Sequence, residues 1–531
     1  MNGTQEISIF SKSTPVPTAL AQIDRLPPEI LAAIFVCLSK QLPGRDVSDF
    51  VQDLVSVTHV CRFWRQAAIN APDLWTEIKM KNLEVVEAFL ERSGAVPLDV
   101  YLRSVNRRMI QAVAPHVHRF RRLSLSVSPR PYNPFTSFTK PAPFLERLEV
   151  RWCPGVQQPL LFDDQAPRLR ELVIFARGLW LQNRLNNLTS LHLTLSHTIK
   201  SHTELLPFFH MVQRCPKLEE LFILWDQSEM VPAEPSQPPV VPLHHLRKLL
   251  LRSFRIENIK YLLRIFDLRT NGIAIHLCDV HPGHVGGSSI PTIQTVFPND
   301  DRGRPSLVSC TKLELIFHTR PRAFIIHAVG PGFSIRIDMR LDYRISPERV
   351  NFTFYNVFPS VKELWIRGSS RCNTKLEGFE RFPALEKLIL NGRGSHLAQN
   401  VRQSLSPDHS GTIPCPLLSA IDCYLGASEM REVFLLVRAR FNAGHQLEKL
   451  RVPSSFLPLP VRVGSRVQDV ESMDIPSGPL HSHSMKLPAF CFAKEHGWWM
   501  PWKLRLNQGT LSNPRVFRYH GLMYLSSIFA V

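Results

Sequence analysis

The side chains best suited to hold something reactive stand between residues 276 and 284. His276, Cys278, Asp279, His281 and His284 bring imidazole, thiol and carboxylate close together in the chain. These are the ligand types of a zinc centre. Their spacing matches no structural zinc pattern, and His276 and Cys278 fall two apart on a predicted strand, facing one way. We therefore read them as strand and loop residues and expect no metal and no other cofactor. His481 and His483 form a weaker pair. The ten cysteines are scattered with no C-x-x-C pair, which predicts neither a disulfide framework nor a zinc module. Phosphate-loop, dinucleotide-loop, zinc-protease and nucleophile-elbow signatures are absent from the sequence. No cysteine stands in a setting that favours its thiolate. The chain is expected to bind rather than to catalyse.

What could position a binding surface begins at Leu26-Pro27-Pro28-Glu29-Ile30-Leu31, followed by Ile34-Phe35 and Leu38. Pro28 suits the first turn of a helix, where a missing N–H costs nothing, and Glu29 complements the dipole there. Ile30, Leu31, Ile34, Phe35 and Leu38 recur at helical spacing. Phe50, Leu54 and Val57 predict a second helix; Val60, Trp64 and Ala68 predict a third, with Pro72 past its end. Three short helices make a poor core alone, so a partner covering leftover apolar surface fits the pattern.

Together with Val60-Cys61, Trp64 and Pro72-Asp73-Leu74-Trp75, this run resembles an F-box over residues 23–80. An expanded loop from Ser39 to Asp49, with Pro43-Gly44 in it, departs from the family pattern. The resemblance implies docking onto the adaptor of an SCF-type ubiquitin ligase and, through it, onto a cullin. By carry-over from the family pattern, Leu26, Pro27, Ile30, Leu31 and Ile34 would meet the adaptor. Trp64 and Trp75 are expected in the core.

The 531 residues, 44% hydrophobic and 20% charged, have a globular composition. No apolar run reaches the roughly 18 residues of a membrane helix. Residues 1–22 are polar and proline-containing, read as disordered and not as a signal peptide, so a cytoplasmic or nuclear chain is expected. The formal net charge of +18 is spread along the sequence. It permits a second reading, a basic scaffold that binds nucleic acid or an acidic protein with no ligase role, although a solvated basic surface is the simpler account.

From residue 81 to 452 a phrase recurs: a breaker, then L-x-x-L-x-[LIV]. It reads Pro143-Phe-Leu-Glu-Arg-Leu-Glu-Val150, Pro167-Arg-Leu-Arg-Glu-Leu-Val-Ile174 and Leu188-Thr-Ser-Leu-His-Leu193. Later members lead from Leu218, Leu246, Val361, Leu385 and Leu447, with Leu313-Glu-Leu315 a weaker one. Positions 145, 169, 188, 218 and 246 are 24, 19, 30 and 28 residues apart. This is similar to a divergent leucine-rich-repeat array, and an F-box followed by such repeats resembles a fungal protein type. The fold expected is α/β: a three-helix F-box, then an irregular solenoid with one parallel strand per repeat. Helices are predicted near 205–212 and 430–437, and a helix from Leu83 with a strand from Val96 to start the array. Proline-rich 230–242 and Gly-rich 281–304 read as loops. The tail, 453–531, reads as a cap or as non-native sequence.

Residues between the inward leucines would line the other face of the sheet. Phe175, Phe222, Trp365 and Arg367 stand at that register, and aromatics and arginines are the types that dominate interfaces. They are the candidate contacts to a protein target, unless loops bury them.

Overall fold

The computed structural model describes residues 26–40, 54–79, 82–103, 107–126, 134–151, 160–176, 181–195, 205–225, 240–268, 272–280, 309–319, 322–340, 351–353, 358–368, 375–392, 396–407, 412–459, 461–473 and 485–491. The segment 1–22, most of the 39–49 loop, most of 230–242, the 281–304 loop, His281, His284, His481, His483 and residues 492–531 lie outside them. Two compact units form. One comprises residues 1–151 with 160–168, the other 152–159 with 169–531.

The first unit starts with helices α1 (Pro28–Lys40), α2 (54–59) and α3 (Arg62–Ile69). Cys61 caps α3 through a hydrogen bond from Trp64 N–H to its Sγ. Strand β1 (Glu77–Ile78), α4 (Leu83–Arg92), β2 (Leu98–Arg103), α5 (Arg107–Val113), β3 (Phe120–Ser126) and β4 (Arg147–Arg151) follow. The four strands are parallel and in sequence order. Ile78, Val100, Leu123 and Leu148 form one buried row, and Leu102, Leu125 and Val150 the next. Asn82 caps α4, and Arg119 clamps the start of β2 by donating to Ser93 Oγ and Val96 O.

The second unit runs β5 (Glu171–Ala176), β6 (Ser190–Leu195), α6 (Leu206–Gln213), β7 (Glu220–Trp225), β8 (Val241–Pro242), β9 (Lys248–Arg252), α7 (Ile256–Ile265), β10 (Phe266–Asp267) and β11 (Ile273–Val280). It continues with β12 (Lys312–Thr319), β13 (Arg322–Gly330), β14 (Phe333–Arg340), β15 (Asn351–Thr353), β16 (Glu363–Gly368), β17 (Lys375–Glu377) and β18 (Lys387–Gly392). Helix α8 (Leu397–Leu405), β19 (Ala420–Leu425), α9 (Ala427–Asn442), β20 (Leu447–Pro453), α10 (Val461–Gly464) and β21 (Val467–Met473) complete it. The small parallel pairs β8–β10 and β15–β17 stand apart from the main sheet.

The recurring phrase has a physical cause. In four of the quoted copies, and in a further one led by Leu418, the leading apolar residue closes a proline-bearing turn by donating its N–H to the carbonyl three residues back. Leu145 bonds Ala142, Leu218 bonds Cys215, Val361 bonds Phe358, Leu385 bonds Phe382 and Leu418 bonds Cys415. A proline holds the second turn position in all five, where its fixed φ is preorganised. The next residue then reaches the preceding copy: Glu219 N–H bonds Thr189 O, Arg247 bonds Glu219, Glu386 bonds Lys362 and Glu448 bonds Ser419. Turn and stacking contact are thus written in adjacent residues. Cys215 and Cys415, whose thiols donate to Met211 O and Phe379 O, fill these turns, and burial pushes both thiols up to about 12.

The leucines behave as one set. Leu172, Leu191, Leu221, Leu249, Ile275, Ile335, Ala328, Leu313, Leu364, Leu388, Ile421 and Leu450 are laterally paired in one row across the sheet, all buried. One departure from the expected architecture lies in the middle. The neighbours across the sheet run β9, β11, β14, β13, β12, β16. After β11 the chain lays down β12 away from it and returns through β13, which is antiparallel to both its neighbours. The rule of one parallel strand per repeat therefore fails here: short turns, Pro331-Gly332 in the second, force an antiparallel meander. The sheet also passes residue 453, since β21 pairs in parallel with β20.

Candidate functional site

The first candidate surface is on α1. Ile30, Ile34 and Leu38, each four residues apart, are 50%, 38% and 57% exposed. Residues four apart stack on one face of a helix, so they form an outward apolar stripe. Val55, Val60 and Phe63 add exposed apolar surface from α2, its end and α3. Leu31 and Phe35 take the other side of α1 and are buried, with the Phe35 and Trp64 ring centroids 5.1 Å apart. Pro27 is exposed, and its carbonyl accepts the N–H groups of Ile30 and Leu31, starting the helix; Leu26 is half-buried. Of the five expected contacts, Pro27, Ile30 and Ile34 are presented. Leu31 is instead enclosed in the core, because it lies one position round the helix from Ile30. Trp75 is buried, donates its indole N–H to Ala68 O at 2.9 Å, meets Phe89 edge-on and lies under Arg92.

The second candidate is the sheet face opposite the leucine row. There Val173, His192, Phe222, Leu250, His276, Arg336, His327, Glu314, Trp365, Ile389, Asp422, Arg451 and Glu471 succeed one another across the strands. Its character changes along the row. At the β7 end it is apolar: Phe222, Leu250, Ala274 and Cys278 form a cluster closed by Cys491 and Leu487 from the C-terminal segment. Phe222 is therefore a core ring, edge-on to His192 at 4.4 Å between centroids.

The middle of the row is polar and buried. Glu314 accepts from His327 Nδ1 at 2.7 Å and from Arg367 Nη1 at 3.1 Å. Burial pushes the Glu314 carboxyl up, but His327 and Arg367 outweigh it and hold the group below its ordinary value. Asp338 accepts from Arg336 Nε at 2.7 Å and lies 3.0 Å from His276 Nε2. Against its burial, Arg336 and His276 hold it well below the carboxylate range. Arg367, expected to face a target, is thus enclosed in an internal ion pair.

Beyond it the face opens. Trp365 is half-buried and donates its indole N–H to Glu363 Oε1 at 2.5 Å; Phe175, on β5, is also half-buried. Lys248, Lys312, Lys387 and Arg451 on this sheet are ion-paired with Glu220, Glu363, Asp422 and Glu471. These four cations are thus neutralised locally. Sequence reasoning missed the buried acid Glu314 and the partly exposed Asp338. The signal for Glu314 was faint, an acid between Leu313 and Leu315, and Asp338, which alternates with Ser334 and Arg336, gave none.

Among the described residues no helix is long and apolar enough to cross a membrane. No curated protein matches the chain. Residues 23–81 match the F-box-like family, so that the helices presenting Ile30, Ile34 and Leu38 are an F-box-like domain at the head of this chain.

Proposed function

We propose that the chain is the substrate-recognition subunit of an SCF-type ubiquitin ligase, in which the F-box-like domain holds the adaptor and the stacked-strand unit, read as an irregular leucine-rich-repeat solenoid, holds the target. The observation that carries the reading is the coincidence of the F-box-like match at 23–81 with an outward apolar stripe on α1. Among the described residues Ile30, Ile34 and Leu38 stay 50%, 38% and 57% exposed, and an adaptor would cover them. The chain needs no catalytic residue in this role. Holding target lysines beside a conjugating enzyme carried by other subunits raises their effective concentration.

For target contact the reading now favours Trp365 and Phe175 over Phe222 and Arg367, since the former pair retain exposed ring surface. The alternative, a basic scaffold for nucleic acid, leaves the α1 stripe unexplained and meets paired cations on the sheet. The experiment is purification of the tagged full chain from cells, with nuclease and high salt. Recovery of adaptor and cullin under those conditions supports the ligase reading; recovery of nucleic acid without adaptor supports the other.

A further inference from the structure

We propose that His276, Cys278 and Asp338 form a zinc site that pins β11 to β14. The proposal is independent of the ligase reading. His276 and Cys278 are two apart on β11, so both point to one face. Asp338 comes from β14, whose Arg336 pairs laterally with His276. The three ligand atoms all lie within 4.8 Å of one another. His276 Nε2 is 2.9 Å from Cys278 Sγ and 3.0 Å from Asp338 Oδ2.

Hydrogen bonding alone serves this arrangement badly. Nε2 carries at most one proton, yet sulfur and carboxylate both crowd it. A carboxylate held ionised by Arg336 has no proton to give. If Nε2 is bare, it can accept the Cys278 S–H but faces the carboxylate lone pairs; if protonated, it serves the carboxylate and leaves the sulfur 2.9 Å away without a bond to it. A cation set beside the three atoms meets a lone pair from each. Tetrahedral zinc, with Zn–S of about 2.3 Å and Zn–N or Zn–O of about 2.1 Å, needs ligand separations of roughly 3.4–3.6 Å. The His276–Cys278 and His276–Asp338 spacings fall short of this by about 0.7 and about 0.4 Å, and the third pair lies within 4.8 Å.

The surroundings suit the metal. Arg336 donates to Asp338 Oδ1, which orients the carboxylate and leaves Oδ2 for the ion. On binding, Cys278 would coordinate as the thiolate, its proton passing to solvent. Nitrogen, sulfur and oxygen together select zinc over magnesium or calcium, which take oxygen alone. The backbone is shaped at the same place: the β11–β14 register shifts between Leu277 and Val280, and Asp279 has φ of 52°. Such bulges re-aim side chains and often adjoin functional sites. Asp279 itself turns away to bind Arg252, so it is not a ligand. Asp338 keeps 25% of its side chain exposed, which gives the ion an entry and a fourth position.

The site has a structural use. Residues 276 and 338 are 62 apart in the chain and meet where the strand order reverses. A metal there would fix the meander in its register.

The test is Co(II) titration of the full-length, chelator-treated protein under reducing, oxygen-free conditions. The proposal predicts a thiolate-to-cobalt charge-transfer band with tetrahedral d–d bands, saturating at one ion per chain and abolished by added Zn(II). Cys278→Ser should remove the band, and Asp338→Asn should weaken Zn(II) binding at least about tenfold. Folded wild-type protein that gives no thiolate band would overturn the proposal, whether or not the variants fold. A band of full strength in Cys278→Ser would also overturn it.

Discussion

Replacing Arg367 with Met should destabilise the second unit far more than a surface substitution would. Glu314 is fully enclosed, and its Oε1 receives Arg367 Nη1 at 3.1 Å. At that distance and an effective dielectric of about 20, the Coulomb attraction is about 5 kcal/mol before desolvation is counted. Methionine keeps the aliphatic packing but removes the charge. The carboxylate is then left in the interior with His327 as its remaining described ion-pair partner. Breaking a buried pair in this way costs about 3–5 kcal/mol. Adding Glu314→Gln to Arg367→Met removes the stranded charge and should recover much of the loss. Because the chain has two units, the readout is the urea midpoint of the second unit's transition, followed by circular dichroism. An Arg367→Met midpoint within about 0.5 kcal/mol of wild type, the range of ordinary surface changes, would refute the argument. The same network has a pH signature. The folded Glu314 carboxyl lies below its ordinary value of 4.5. Its stabilising contribution is therefore complete above pH 4.5 and is lost as pH falls below it through the folded value. Asp338, also lowered, adds in the same direction. Glu314→Gln should flatten that acid limb.

Phe222→Ala should cost about 3–5 kcal/mol of stability, because the ring is 6% exposed beneath Cys491 and Leu487; melting curves check this, and an unchanged midpoint would return Phe222 to the recognition surface. Leu31→Ala, emptying a fully buried site, should lower the stability of the first unit by about 2–5 kcal/mol, whereas Ile34→Ala should leave it within about 1 kcal/mol. Trp75→Phe removes the indole hydrogen bond to Ala68 O, which keeps the Ala71 N–H at 3.3 Å, and should cost about 0.5–1.5 kcal/mol, read by denaturant unfolding of the first unit.

Much of this architecture was legible because it is local. The breaker, leucine and alternating apolar residues of 143–150 specify a turn and then a strand within eight positions, and the structure has both. The same holds at Leu218–Ile223 and Leu385–Leu390. The α1 stripe was readable only by half. Helical spacing gives two apolar sides, Ile30, Ile34 and Leu38 on one and Leu31 and Phe35 on the other, and nothing in spacing says which is inward. What escaped is non-local. Leu313, Leu315 and Phe317 alternate like any repeat strand, so β12 gives no sign that its neighbour is antiparallel β13. The position of Asp338 beside His276 follows from that reversal and from nothing nearer in sequence. The burial of Phe222 depends on residues 485–491, more than 260 positions away.

The account's central claim is that α1 docks a partner. Isothermal calorimetry of the purified full chain with the ligase adaptor tests it most directly, comparing wild type with Ile30→Ala/Ile34→Ala. Each substitution removes roughly half the value of burying three methyl or methylene groups on docking, about 1 kcal/mol at about 0.8 kcal/mol per group. The account predicts tight wild-type binding and a variant weaker by about thirtyfold, with its melting temperature unchanged. Equal affinity of the two folded proteins, or no adaptor binding by wild type, would contradict it.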